Sequence, residues 1–178
     1  MKNLPLDLEI YQPASSLEKG KEDDEFKKKP ELALELIDRS KKRGYQPGIV
    51  LIDAGYGNNT PFLLEIEKRK LKYIGGLAKN RKVKVKREGE ELTEIRLDKL
   101  AESLQKDDFI AIKLNLEKPR TLWIAIREVE ISSLKGCRNI AIVMNAPTLS
   151  EATEVDYLIT NVSSTIVTPQ WIITTYSH

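Results

Sequence analysis

The chain of 178 residues has one cysteine, Cys137, and one histidine, His178. A single cysteine excludes a disulfide framework and a thiolate metal cluster. A single histidine at the last position argues against a histidine-centred triad or a zinc–histidine site. No window approaches eighteen apolar residues, and the N-terminus lacks the apolar core of a signal peptide, so the expectation is an intracellular soluble chain. Aromatic residues make up only 6%, and the formal net charge is +2, too small to imply a partner by itself. Charged residues at 31% and apolar residues at 40% fit a folded chain with one proper core. Lysine and arginine are also missing altogether after Arg138, whereas ten of the twenty residues from Lys68 to Arg87 are one or the other. Local charge rather than the total governs attraction to a phosphate backbone.

What is present is organised around Gly48-Ile-Val-Leu-Ile-Asp-Ala-Gly-Tyr-Gly-Asn-Asn59. Four apolar residues, Ile49 to Ile52, lead straight into Asp53, and Gly55 and Gly57 follow. Such a run, closed by turn formers, reads as a buried central strand. A carboxylate at the C-terminal end of that strand lies where open α/β sheets place catalytic groups. Asp53 is therefore the first candidate for chemistry, and the competing reading is a turn-capping aspartate. Gly55-Tyr-Gly57 lacks the Gly-Lys-Ser/Thr of a phosphate loop and the full dinucleotide fingerprint, which disfavours a nucleotide binder.

Before this stretch, Leu6, Leu8 and Ile10 alternate with Asp7, Glu9 and Tyr11, predicting a strand ended by Pro13. Residues 14–29 are polar and read as an exposed loop. Pro30 opens a helix with Leu32, Leu34, Leu36 and Ile37 as its apolar stripe, stopped by Gly44. After Asp53, Thr60-Pro61 reads as a cap with proline at the first helical position. Phe62, Leu63 and Ile66 face a sheet, and Lys72 to Ala78 form the next strand. Strand, helix and strand over 49–78 make a parallel, right-handed crossover in a mixed sheet. Arg81 to Arg87 alternates Val83 and Val85 with lysines, either an edge strand defended by charge or a basic ribbon for nucleic acid. A short helix over Leu97 to Leu104 follows. Strands are then expected over Phe109 to Leu116 and Thr121 to Ile131, joined as a hairpin through Glu117-Lys-Pro119. Further strands are expected at Ile140 to Met144 and Tyr157 to Asn161, and Thr168-Pro169 starts a final helix with Trp171, Ile172 and Tyr176.

Leu6 to Pro13, Phe26 to Arg39, Val50-Leu-Ile-Asp-Ala-Gly-Tyr56, Tyr73 to Lys79, Tyr157-Leu-Ile-Thr-Asn161 and Trp171 to Tyr176 together resemble transposases of bacterial insertion sequences, nearest to insertion-sequence family four and its relatives. The resemblance implies a DDE enzyme with an α/β, RNase H-like mixed sheet and a β-rich insertion. It implies one partial catalytic domain over residues 1–178, truncated at both ends, with core pieces at about 4–78 and 140–178 and the insertion at about 79–139. Asp53 matches the second of three catalytic acids and would be a metal ligand. The first acid lies upstream of the segment that begins this chain, and the third follows a Tyr-x-x-Arg-Trp-like segment whose entrance is Tyr176. Glu151, Glu154 and Asp156 fall in a polar loop before Tyr157 that the family does not use catalytically, and Asp7 and Glu9 are expected to be solvated strand residues. The complete family enzyme uses Mg2+ or Mn2+, and tight binding of either is not expected here. Implied partners are DNA, contacted through Lys79, Arg81, Lys82, Lys84, Lys86 and Arg87, and a second copy or an intact transposase, with no membrane. The implied setting is a bacterial cytoplasm, at the nucleoid. The expected function is a transposase-derived domain related to DNA cleavage and strand transfer, inactive alone. The alternative is a non-enzymatic remnant for protein interaction or non-specific DNA binding.

Overall fold

The computed structural model describes residues 7–86, 91–115 and 119–176, and contacts cluster in two compact units, 1–48 and 49–178. Within the first unit, 3-10 turns at Ala14–Ser16 and Gly20–Glu22 precede helix α1, Lys29–Lys42. Pro30 stands in the first turn, and the Glu31 carboxylate accepts the Lys28 N–H at 2.8 Å, closing an otherwise orphaned helix-end donor. Gly44, at φ 90°, follows the helix in the left-handed conformation expected of a stop. No residue of α1 is fully buried.

The strand expected over 6–11 is not formed among the described residues, 7–11. The segment finds no ladder partner there, and its carboxylates are drawn to α1. Arg39 donates to Asp7 Oδ2 at 2.9 Å and to Glu9 Oε2 at 2.6 Å, and Arg43 lies 3.1 Å from Asp7 Oδ2. Asp7 is held below the usual carboxylate range, chiefly by the hydrogen bond from Arg39. Leu8 and Ile10 are left 71% and 77% exposed. Alternation alone predicted a buried face, but no described strand pairs with residues 7–11 to bury one.

The second unit carries eight strands among the described residues, in one open mixed sheet with helices against it. They are β1 Val50–Ile52, β2 Tyr73–Gly76, β3 Lys82–Val85, β4 Thr93–Arg96, β5 Ile110–Leu114, β6 Arg120–Glu130, β7 Cys137–Met144 and β8 Val155–Thr160. The order is β1-β2-β8-β7-β6-β3-β4, with β5 also on β6. Only β1 and β2 run parallel, with Leu51 opposite Ile74. They are joined through helices α2 (Ala54–Gly57) and α3 (Thr60–Lys68), as the crossover pattern required. Helix α4 covers Leu97–Ser103 and helix α5 covers Pro169–Tyr176.

Two sequence expectations about strand position are corrected. The Asp53 strand is not central: β1 is at the end of the strand order, pairs only with β2 among the described residues, and leaves Leu51 42% exposed. An apolar run marks a strand but cannot report how many neighbours it has. Conversely β3 is not an edge, because β4 pairs along its full length from Lys82↔Arg96 to Val85↔Thr93. β4 escapes pattern reading because Ile95 is its only strongly apolar residue.

The α3 start moves by one residue. Asn59, not Thr60, is the cap, its Oδ1 accepting the Phe62 N–H at 3.1 Å, while Thr60 Oγ1 accepts from Arg81 instead. Asparagine is as good a cap as threonine or better, so the side chain nearer the free donor takes the role. Thr168 does cap α5, accepting the Trp171 N–H at 3.1 Å. β5 and β6 form the expected antiparallel pair, Leu114 opposite Arg120, though Glu117 and Lys118 of the expected turn lie outside the described residues.

Ile74, Leu122, Ile124, Ala141, Val143 and Leu158 face α5 and pack with its Ile172 and Ile173. A separate polar knot is buried beside β7. Arg138, 8% exposed, donates twice to the Glu67 carboxylate, at 2.9 and 2.7 Å, and to the Lys135 and Cys137 carbonyls. The Tyr73 hydroxyl donates to the same carboxylate at 3.0 Å. Burial, reinforced by the neighbouring Glu67 charge, raises the Tyr73 phenol above its ordinary value.

Candidate active-site cleft

Asp53 follows β1 directly and caps α2: its Oδ1 accepts the Tyr56 N–H at 3.1 Å. The turn-capping reading of this residue is thus observed. One oxygen holds the turn, and the other has no protein partner among the described residues. The side chain is exposed.

Glycines fix its position. A Cβ on Gly57 would lie 1.9 Å from the Gly76 carbonyl oxygen, and one on Gly75 would lie 2.1 Å from Ile52 Cγ1. Gly57 thus lets helix α2 pack down on β2, and Gly75 leaves room on β2 for the Ile52 side chain of β1. Asn58 completes the joint, donating to the Ala54 carbonyl at 2.6 Å and accepting the Ala78 N–H at 3.1 Å.

Beside Asp53 lies a cleft of about 520 Å³ whose lining includes Ala54, Gly76, Lys79, Asp156 and Tyr176. The Tyr176 phenol titrates above its ordinary value, first through burial and then through the negative charges of Asp156 and Asp53, which puts both carboxylates in its neighbourhood. The sequence reading put Asp156 in a loop. It is instead the second residue of β8, opposite Val143, and it makes no hydrogen bond or ion pair among the described residues. The available signal was its spacing, two residues before Leu158 and so on the same strand face. Glu151 and Glu154 do precede the strand, as expected.

The basic residues are held in different ways. Lys79 lines the cleft. Arg81 turns inward, donating to the Asn58 carbonyl at 3.3 Å and to Thr60 Oγ1 at 2.8 Å, and ties the chain after β2 to the start of α3. Lys82 pairs with Glu94 at 2.9 Å across β3 and β4. Lys84 stands opposite Glu94 on one side and Glu130 on the other. Lys86 is exposed, and Arg87 lies outside the described residues.

The divalent ion of the expected chemistry wants several hard oxygen ligands converging from different elements. Asp53 offers one uncommitted oxygen. Among the described residues, no group of three or more His, Cys, Asp or Glu side chains is placed to hold a metal ion. The described carboxylates therefore do not make a three-acid set by themselves.

An open mixed sheet with a carboxylate at the end of its parallel pair, beside a cleft, makes an α/β domain with a candidate site at the strand ends. The family model described as DDE superfamily endonuclease matches residues 3–92, half of the chain and the part that includes Asp53 and Lys79. The chain belongs to that family. Comparison with curated proteins and with solved structures returned no match. Among the described residues, no helix is long and apolar enough to cross a membrane.

Proposed function

We propose that this chain is a transposase-derived domain of RNase H-like type, related to the transposases of insertion-sequence family four, whose role belongs to DNA cleavage and strand transfer in transposition. Its setting is the bacterial nucleoid and its partner is DNA. By itself the chain does not cut DNA. The observation that carries this reading is Asp53, inside the family match, with a free carboxylate oxygen beside a cleft walled by Asp156 and Tyr176. Asp53 is the catalytic and metal-binding acid of the reading, and the other ligands that Mg2+ or Mn2+ needs are not supplied by the described carboxylates.

The test is thermal unfolding of the purified chain with and without manganese, beside Asp53→Asn. A ligand that binds only the folded state stabilises it by RT ln(1 + [L]/Kd). One uncommitted oxygen should give a rise in midpoint only at about millimolar manganese, and only in the parent. An equal rise in both proteins, or none in either, refutes Asp53 as a metal ligand. Metal-dependent nicking of DNA by the pure chain, lost in Asp53→Asn, refutes its inactivity alone.

The β1 edge favours a second reading, a remnant that pairs with a second copy or an intact transposase. Backbone groups on that edge are without a strand partner among the described residues, and Leu51 is exposed. A monomeric mass at micromolar concentration refutes the self-pairing form.

A further inference from the structure

Every described arginine other than Arg120 has a polar partner: Arg39, Arg43, Arg69, Arg81, Arg96, Arg127 and Arg138 each make a hydrogen bond or ion pair. Arg120 makes none among the described residues, although it lines a hollow together with the Asp156 carboxylate. It opens β6 two residues before Leu122, so strand alternation puts it on the face that packs against α5. A guanidinium carries five fixed donors, and one left unpaired at a cavity is the group best suited to a phosphate.

That hollow, about 230 Å³, shares Asp156, Leu158 and Tyr176 with the larger cleft beside Asp53. The two cavities are thus adjoining, with Arg120 lining one and Lys79 the other. Among the described residues, no further lysine or arginine lines either of them. Lys79 also has no side-chain partner among the described residues.

We propose that Arg120 and Lys79 form a two-point clamp for the phosphates of a single DNA strand lying across these joined cavities, past Asp53. The proposal rests on the DNA-processing reading above and names the seat of its substrate. Lys82 of β3 is already paired to Glu94, and β3 is not the principal contact. Asp156 lies in the walls of both cavities and opposes the bound phosphates. The clamp is consequently weak, and its strength depends on that carboxylate.

Fluorescence anisotropy with a labelled single strand of about 20 nucleotides tests it, over salt from about 50 to 200 mM. Arg120→Gln and Lys79→Gln should each weaken binding and reduce the slope of log K against log salt by about 0.7, the value for one phosphate contact on a single strand. Arg120→Lys should restore the slope. Lys135→Gln, on an exposed turn, should match the parent. Asp156→Asn should tighten binding about two- to fourfold by removing a like charge from the groove. Loss of affinity in Arg120→Gln with an unchanged salt slope would mean a merely structural role and would overturn the clamp. So would wild-type behaviour in both glutamine variants with the loss carried by Lys82→Gln or Lys84→Gln, tighter binding of duplex indifferent to Arg120, or no binding by the parent. The manganese response of Asp53 reads neither cation, so the clamp and the Asp53 reading can fail separately.

Discussion

The capping contact of Asp53 and the chemical role proposed for it can be separated by one substitution. Its Oδ1 caps α2 by accepting the Tyr56 N–H, and its second oxygen is the one available for chemistry. Replacing an N-cap aspartate by alanine costs about 0.5–2 kcal/mol, whereas asparagine keeps the acceptor and costs almost nothing. Helix α2 has only four residues, so few backbone donors depend on the cap, and the loss should fall near the middle of that range, about 1 kcal/mol. For a chain of this size that is a midpoint shift of about 2–4 °C. Asparagine removes the negative charge beside Asp156 and Tyr176 while leaving the turn intact. The order of stability in urea, at constant m-value, should therefore be Asp53→Asn equal to or slightly above the parent, with Asp53→Ala below both. Manganese should raise the parent alone. If asparagine destabilises as much as alanine, the carboxylate charge and not the acceptor oxygen holds the turn, and the division of labour is wrong. If alanine costs nothing, the cap contributes nothing, and Asp53 has no structural reason to be there.

Three other substitutions probe the scaffold around that site. Arg138→Ala leaves the Glu67 carboxylate without its cation, with the Tyr73 hydroxyl still donating to it, and loss of one partner from a buried pair should cost about 3–5 kcal/mol; Arg138→Met with Glu67→Leu should recover much of it, and a double variant as unstable as the single would refute the desolvation argument. Gly57→Ala drives a methyl into the Gly76 carbonyl, a backbone atom that cannot swing aside, and should cost at least about 1–3 kcal/mol by chemical denaturation, while Gly44→Ala, with open space around it, should show only the strain of its positive φ. The raised Tyr73 phenol makes stability pH-dependent at the alkaline end: its contribution is fully present below the unfolded value of about 10 and is lost as pH rises toward the higher folded value. Tyr73→Phe should flatten that alkaline limb by up to about 1.4 kcal/mol per pH unit, and identical limbs would refute the assignment.

The elements that sequence patterns disclosed are those whose signal is local. Pro30 with Gly44 bounds α1, Thr168 caps α5, and the apolar run before Asp53 marks β1. What failed depends on partners distant in sequence. The alternation of Leu6 to Ile10 is as regular as that of β3, yet Val83 and Val85 are buried between two neighbouring strands while Leu8 and Ile10 are exposed. Thr93–Arg96 is too polar to announce itself, and it is β3 that makes it a strand. Of the candidate site, Asp53 and Lys79 were legible in the sequence, while Asp156 and Arg120 were not. Asp53 stands at the end of an apolar run, but Asp156 and Arg120 are charged residues on the core face of strands, two positions ahead of Leu158 and Leu122, and they acquire meaning only when β6 and β8 take their places in one sheet.

The distribution of charge along the chain makes the same point about function. The stretch from Lys68 to Arg87 holds the densest positive charge, and on composition alone it is where a phosphate backbone should bind. Folding commits much of it elsewhere. Lys68 and Arg69 pair with Glu65, Arg81 holds the start of α3, and Lys82 pairs with Glu94. The last forty residues carry no lysine or arginine, yet they supply Asp156 and Tyr176 to the cleft. Among the described residues, the cavity walls hold two cations from earlier in the chain, Lys79 from the segment after β2 and Arg120 from the start of β6. A cation already paired has to lose its partner before it can hold a phosphate, and that loss offsets most of the gain. An unpaired one has no such cost. The strength of the proposed clamp is set by which charges the fold leaves unpaired, and among the described residues Arg120 and Lys79 are left so, one at each of the two adjoining cavities.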